Sequence, residues 1–103
     1  MTTKKTASDV AFQIQKVAFE LGQVVATPGA IEHLSSSELV TALTRHHQCD
    51  WGECCAEDWA LNDQSVLGEG RLLSVYRTES GVKFWIITEW DRSLTTVLLP
   101  DEY

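Results

Sequence analysis

Five side chains able to ligate a metal or act as a nucleophile crowd into the run HHQCDWGECC: His46, His47, Cys49, Cys54 and Cys55. Zinc is the chemistry this cluster invites. Structural zinc, however, joins two separated ligand pairs to close a loop. Here there is no Cys-x-x-Cys and no distant second pair, and Cys54 and Cys55 are adjacent. The cysteines total three, an odd number, and no secretory signal pattern opens the chain, which points to a reducing compartment. The expectation is free thiols and no metal, with Cys54 and Cys55 as small packing residues and Cys49 half-exposed. A nucleophilic Cys49 served by His33 or His46 is the alternative.

Other candidates are sparser. Gly68-Glu69-Gly70 is too short for a phosphate loop and lacks the Lys and hydroxyl that follow one, so no cofactor is expected. Asp58 and Asn62 lie four apart in a helical pattern whose wheel puts them amid Trp51, Cys54, Cys55, Trp59 and Leu61. An inward carboxylate needs partners, so the pair reads as structural polar groups, with loop amides, a hydroxyl or Arg71 satisfying Asp58. Its functional reading is a catalytic acid. The turn Glu89-Trp90-Asp91-Arg92-Ser93 is unusual, because a large aromatic, two acids and a guanidinium replace small turn formers. Either Asp91 and Arg92 pair to fix the turn, or Trp90 projects as a contact anchor, since Trp and Arg are enriched in binding hot spots.

Charge is the strongest asymmetry. The 103 residues hold 15 acids and 8 Lys and Arg, a net charge of -7. Residues 46–70 contain Asp50, Glu53, Glu57, Asp58, Asp63 and Glu69 with no Lys or Arg, so nearly the whole excess lies there. The wheel puts Asp50, Glu53 and Glu57 on the outward side. A solvated helix face explains them, and so does a carboxylate row that stands in for phosphates on a basic protein groove. The same charge argues against direct nucleic-acid binding.

The elements that must position these residues read as follows. Composition is globular, with 44% hydrophobic and 22% charged residues, and no run reaches the length of a membrane span. Residues 1–8 form a disordered tail, and residues 9–103 form one domain. Residues 9–16 fit a strand or a helix equally, and extended structure follows from Val17 to Thr27. Thr27-Pro28-Gly29 starts a short helix to about Leu34. Ser35-Ser36-Ser37-Glu38 caps a second, through about His47, with Leu39, Leu43 and Val40 inward. Asp50-Trp51-Gly52 caps a third from about Glu53 to Ser65. Residues 71–77, 82–88 and 94–99 form a three-stranded meander. The fold class is α+β: a small antiparallel sheet, with an optional N-terminal strand, packed against two or three short helices.

GRLLSVY, KFWIITEWDRSLTTVLLPDEY, LGQVVATPGA and HHQCDWGE…AEDWALND cover residues 21–30 and most of 46–103. Together they resemble a family of short uncharacterised proteins carried on bacterial plasmids and integrative elements and labelled only as plasmid-related. Asp50-Trp51-Gly52, Asp58, Asn62, Trp85, Asp91-Arg92-Ser93 and Thr95-Thr96 match its motif, and the cysteines at 49, 54 and 55 lie outside it. No activity comes with the resemblance. It implies a bacterial cytoplasm and a mobile element, whose small acidic cargo concerns defence, counter-defence or maintenance. The expected function is therefore a non-enzymatic protein-binding module. Its partner has a basic surface, such as a host defence nuclease inhibited in anti-CRISPR or anti-restriction fashion. The expected contact residues are Asp50, Trp51, Glu53, Glu57, Asp63, Trp90, Asp91 and Arg92. One alternative is a toxin or nuclease-like enzyme using Asp91, Arg92, His46 or His47. Another is a subunit that self-associates through Phe12, Phe19 and strand edges.

Overall fold

The computed structural model describes residues 18–103, so the readings of residues 1–8 and 9–16, and of Phe12, lie outside it. The elements run β1 (Gln23–Ala26), α1 (Pro28–His33), α2 (Ser36–His47), α3 (Ala56–Val66), β2 (Leu72–Arg77), β3 (Lys83–Thr88) and β4 (Leu94–Leu98), closed by a short turn of 3₁₀ helix at Pro100–Glu102. Helices packed on a sheet make this an α+β fold.

Local signals explain most element starts. Thr27 caps α1, its hydroxyl accepting from Ala30 N–H, with Pro28 at the first helical position. Ser35 and Glu38 form a reciprocal capping box on α2. Alternation shows in β2, where Leu72, Ser74 and Tyr76 are buried and Leu73 and Val75 only half-buried.

The strand order is β1-β4-β3-β2. The meander of β2, β3 and β4 is antiparallel as expected, but β1 joins β4 in parallel, Val24 opposite Thr95 and Val25 opposite Thr96. The sheet is mixed rather than purely antiparallel. The extended stretch shrinks to four residues, because Gly22 turns at φ 65° with Ser93 backbone against it, where no Cβ fits. One core cluster lies between sheet and helices: Ala30 and Ala42 meet Tyr76, Phe84, Ile86 and Val97. A second joins Phe19, Trp51 and Leu72 to Cys54, Trp59 and Val66.

Two helix readings need correction. Leu39 and Leu43 face the core as expected, beside the buried Ala42 and His46, but Val40 points to solvent. α3 begins at Ala56, capped by Cys55, and not at Glu53 behind Asp50-Trp51-Gly52. Those three residues instead run alongside β2, Gly52 bridging Val75 in parallel. Val75 N–H donates to Trp51 O at 3.1 Å, and Glu53 N–H donates to Val75 O at 2.7 Å. Gly52 sits at φ 72° with Val75 O and the Tyr76 ring where a Cβ would be, so only glycine allows this approach.

Candidate functional site

With α3 starting at 56, a wheel drawn from Asp50 mixes helical and extended residues, and its apolar face holds only for Trp51, Cys54 and Trp59, which lie in the second core cluster. Asp58 and Leu61 are exposed, as is Cys55, so neither the inward carboxylate nor its contact with Arg71 exists; Arg71 lies over the Tyr103 ring instead. Asn62 is buried as expected, and it forms an amide clasp. Its Nδ2 donates to Leu73 O at 2.8 Å and its Oδ1 accepts from Leu73 N–H at 3.1 Å. Cys54 Sγ donates to the same carbonyl at 3.2 Å. Leu73 and Val75 are the outward-facing residues of edge strand β2, so Asn62 and the 51–53 segment between them close that edge.

The acids of residues 46–70 divide into paired and unpaired. Asp50 accepts from Arg45 Nε at 2.8 Å, which with Gly52 N–H holds its carboxyl below the usual carboxylate range. Glu53 accepts from Arg77 Nε at 3.0 Å. Asp63 takes the indole N–H of Trp51 at 2.9 Å. Trp51 itself is 0% exposed and stacked on Phe19, so, contrary to the expectation from sequence, it is a core residue and not a contact residue. Among the described residues, Glu57, Asp58, Asp63 and Glu69 have no ion pair and are exposed.

The turn at 89–93 lacks the Asp91–Arg92 pair expected in one version of it, while Trp90 projects into solvent as in the other. Asp91 does not pair with Arg92: it accepts from Ser93 N–H at 3.1 Å and Ser93 Oγ–H at 2.6 Å, and these two bonds lower its pKa. Arg92, in the left-handed region at φ 60°, turns inward. Its guanidinium donates to Gly70 O and Ser65 O at 2.6 Å, to Glu89 O and Trp90 O at 3.2 Å, and to Gly68 O at 3.4 Å. One side chain thus staples the loop after α3 to the β3–β4 turn. Two apolar residues of those loops, Leu67 at 91% and Trp90 at 58% exposed, stand out in solvent beside Glu69 and Asp91.

The histidines are committed. His46 is wholly buried between α2 and the sheet, its Nδ1 2.6 Å from Ser74 Oγ and its Nε2 2.9 Å from Thr88 Oγ1. Burial drives its pKa down to about 3, with repulsion from His47 adding to the effect. His47 Nε2 lies 2.9 Å from Phe19 O, and His33 Nδ1 2.9 Å from Gly29 O. Burial and Asp63 push the Cys49 thiol up, the opposite of what a nucleophile needs. The Cys49–His46 pairing has no place here, since both ring nitrogens of His46 face hydroxyls. No group of three His, Cys, Asp or Glu able to hold a metal ion forms among the described residues. Of the buried hydroxyl partners Ser74, Thr88 and Thr95, only Thr95 was singled out from sequence, as part of the resemblance and without a role. For Ser74 and Thr88 the hint is a polar residue among the apolar positions of its strand.

A groove of about 220 Å³ between α2 and the β2–β3 hairpin is lined by Glu38, Thr41, Arg45, Tyr76, Arg77 and Glu79. It is smaller than the ~300–1,000 Å³ of ordinary small-molecule sites. Three of its four charges are engaged elsewhere: Arg45 and Arg77 by Asp50 and Glu53, and Glu38 by Ser35 and Glu79 N–H.

Comparison with protein-family models, curated proteins and solved structures found no match. No helix of the described residues is long and apolar enough to cross a membrane.

Proposed function

We propose that the protein is a non-enzymatic binding module of a bacterial mobile element, working in the cytoplasm. It presents carboxylates to the basic, nucleic-acid-binding surface of a partner such as a host defence nuclease. The observation that supports this reading is the set Glu57, Asp58, Asp63 and Glu69, exposed and without ion pairs among the described residues. Arg92 reaches the same loops but directs its donors to carbonyl oxygens. Carboxylates so placed compete for the sites that a phosphate backbone would fill. Leu67 and Trp90 add apolar contact beside them.

The test uses plasmid cleavage by purified restriction and RNA-guided nucleases, with this protein titrated in. Cleavage slows with the natural chain, and a Glu57→Lys, Glu69→Lys double variant inhibits at least 10-fold more weakly. Of the two substituted positions only Glu57 lies in the first turn of α3, where a reversed charge costs about 0.3–1 kcal/mol, so the variant stays folded. Equal inhibition by the double variant would sink the reading. Growth arrest on expression in a host without such nucleases would favour the toxin instead.

A further inference from the structure

The two edges of the sheet are treated in opposite ways. Beyond β2, the clasp of Asn62 and the 51–53 segment take up the outward N–H and C=O groups of Leu73 and Val75. Beyond β1, no other described strand is present. Gln23 N–H donates to Ser93 O and Thr27 N–H to Val97 O, both at 3.0 Å. In a parallel ladder alternate residues face the same neighbour, so Gln23, Val25 and Thr27 face β4. Val24 and Ala26 therefore direct their backbone groups away from the sheet. An open edge of this kind is a template for another strand.

The chemistry around this edge selects what covers it. From Leu21 to Ile31 there is no charged side chain, in a chain of net charge -7. Val24 is 42% exposed on β1 and Ile31 66% exposed on α1, the helix that follows it. The acids of α3 sit with β2, at the opposite edge of the sheet. Two copies that meet at β1 thus keep the acidic α3 ends farthest apart, and the Glu102 carboxylate at this edge is taken up within its own chain by Thr27 Oγ1 and Gly29 N–H.

We infer that β1 pairs antiparallel with β1 of a second copy across a two-fold axis at Val25, giving a continuous eight-stranded sheet. The register is self-complementary. Val24 of each copy faces Ala26 of the other and exchanges both N–H···O bonds, which satisfies all four outward groups on each strand. The two Val25 residues form the central non-hydrogen-bonded pair, with Cα atoms about 4.5 Å apart. This assembly does not depend on the acidic end or on any partner of it.

Sedimentation equilibrium of the full chain, from about 5 to 300 μM, is the first measurement, and the expected mass is that of a dimer at the upper end. Val24→Pro removes an outward donor while leaving the β1–β4 ladder intact, as edge prolines do. It should raise the dissociation constant at least 10-fold. Val25→Cys gives an independent readout, because the central pair lies within disulfide range. Mild oxidation should link the two introduced thiols, identified by peptide mapping against Cys49, Cys54 and Cys55. Thr96→Cys, on the same face but one strand further in, should not link. A monomer throughout the concentration range would overturn the inference. So would a dimer unaffected by Val24→Pro, or one in which Thr96→Cys links as fast as Val25→Cys.

Discussion

His46 fixes the direction of a whole row of protons. Thr95 Oγ1 donates to Leu21 O at 2.6 Å, which uses its one hydrogen. Thr95 must then accept from Thr88 Oγ1, 2.7 Å away, and Thr88 in turn must accept from His46 Nε2–H. Nδ1 is left as the acceptor for Ser74 Oγ–H, so the ring is neutral and its tautomer is assigned by the far end of the chain. All four side chains are 0% exposed, and every donor has one acceptor. Linkage follows with a definite sign. Above the unfolded value of 6.5 both states hold the ring neutral, and stability is intact. As pH falls below 6.5 the unfolded chain takes up a proton that the folded one refuses until about 3, so stability drops across that window. From pH 6.5 to 5, above the range where Asp50 and Asp91 matter, the loss should approach about 2 kcal/mol by urea unfolding. His46→Leu should abolish that slope. It should also lower stability at pH 7 by about 2–4 kcal/mol, because it strands the Ser74 and Thr88 hydroxyls in the core. An unchanged slope in the variant would show that another group carries it.

At the scale of elements, the β3–β4 turn and the loop after α3 behave as one unit through Arg92. Arg92→Ala removes the donor from five carbonyls and should cost about 2–3 kcal/mol in chemical denaturation. Trp90→Ala, two residues away in the same turn, should move stability by less than about 0.5 kcal/mol, since the ring is mostly in solvent. A large loss from Trp90→Ala would mean that the ring packs where it looks exposed. The helix caps at Thr27 and Ser35 and the meander were legible in sequence because each rests on neighbours within a few residues. The start of α3 was not legible: Asp50-Trp51-Gly52 is a sound cap by residue type, yet Gly52 is consumed by Val75, 23 positions later. The same holds for Asp58, exposed, whose burial was inferred from a helix that begins three residues too early, whereas Trp51 is buried on the side the wheel gave it and was misplaced only as a contact residue. Asn62 was placed correctly because its neighbours within α3 obey the helical period. The parallel seat of β1 was beyond reach, since a four-residue QVVA carries no mark of which strand it will join.

For the whole molecule, the strand order separates the acidic helix α3, at β2, from the opposite edge at β1. It also separates early from late. β4 lies between β1 and β3, so the first strand in the chain has no partner until the last has been made. The closing turn repeats the pattern, as Glu102 accepts from Thr27 Oγ1 at 2.5 Å and Gly29 N–H at 2.9 Å, tying down a helix start made some seventy residues earlier. Translation runs from the other end at about 5–20 residues per second. The nascent chain must therefore hold β1 unpaired on the ribosome for several seconds, and it can fold only after Leu94–Leu98 clears the exit tunnel. Ribosome-arrested chains stopped with β4 still inside the tunnel should be cut by protease throughout the region after Leu21. Chains extended by a linker long enough to free β4 should be resistant, and protection arising before that point would show a folded intermediate without β4.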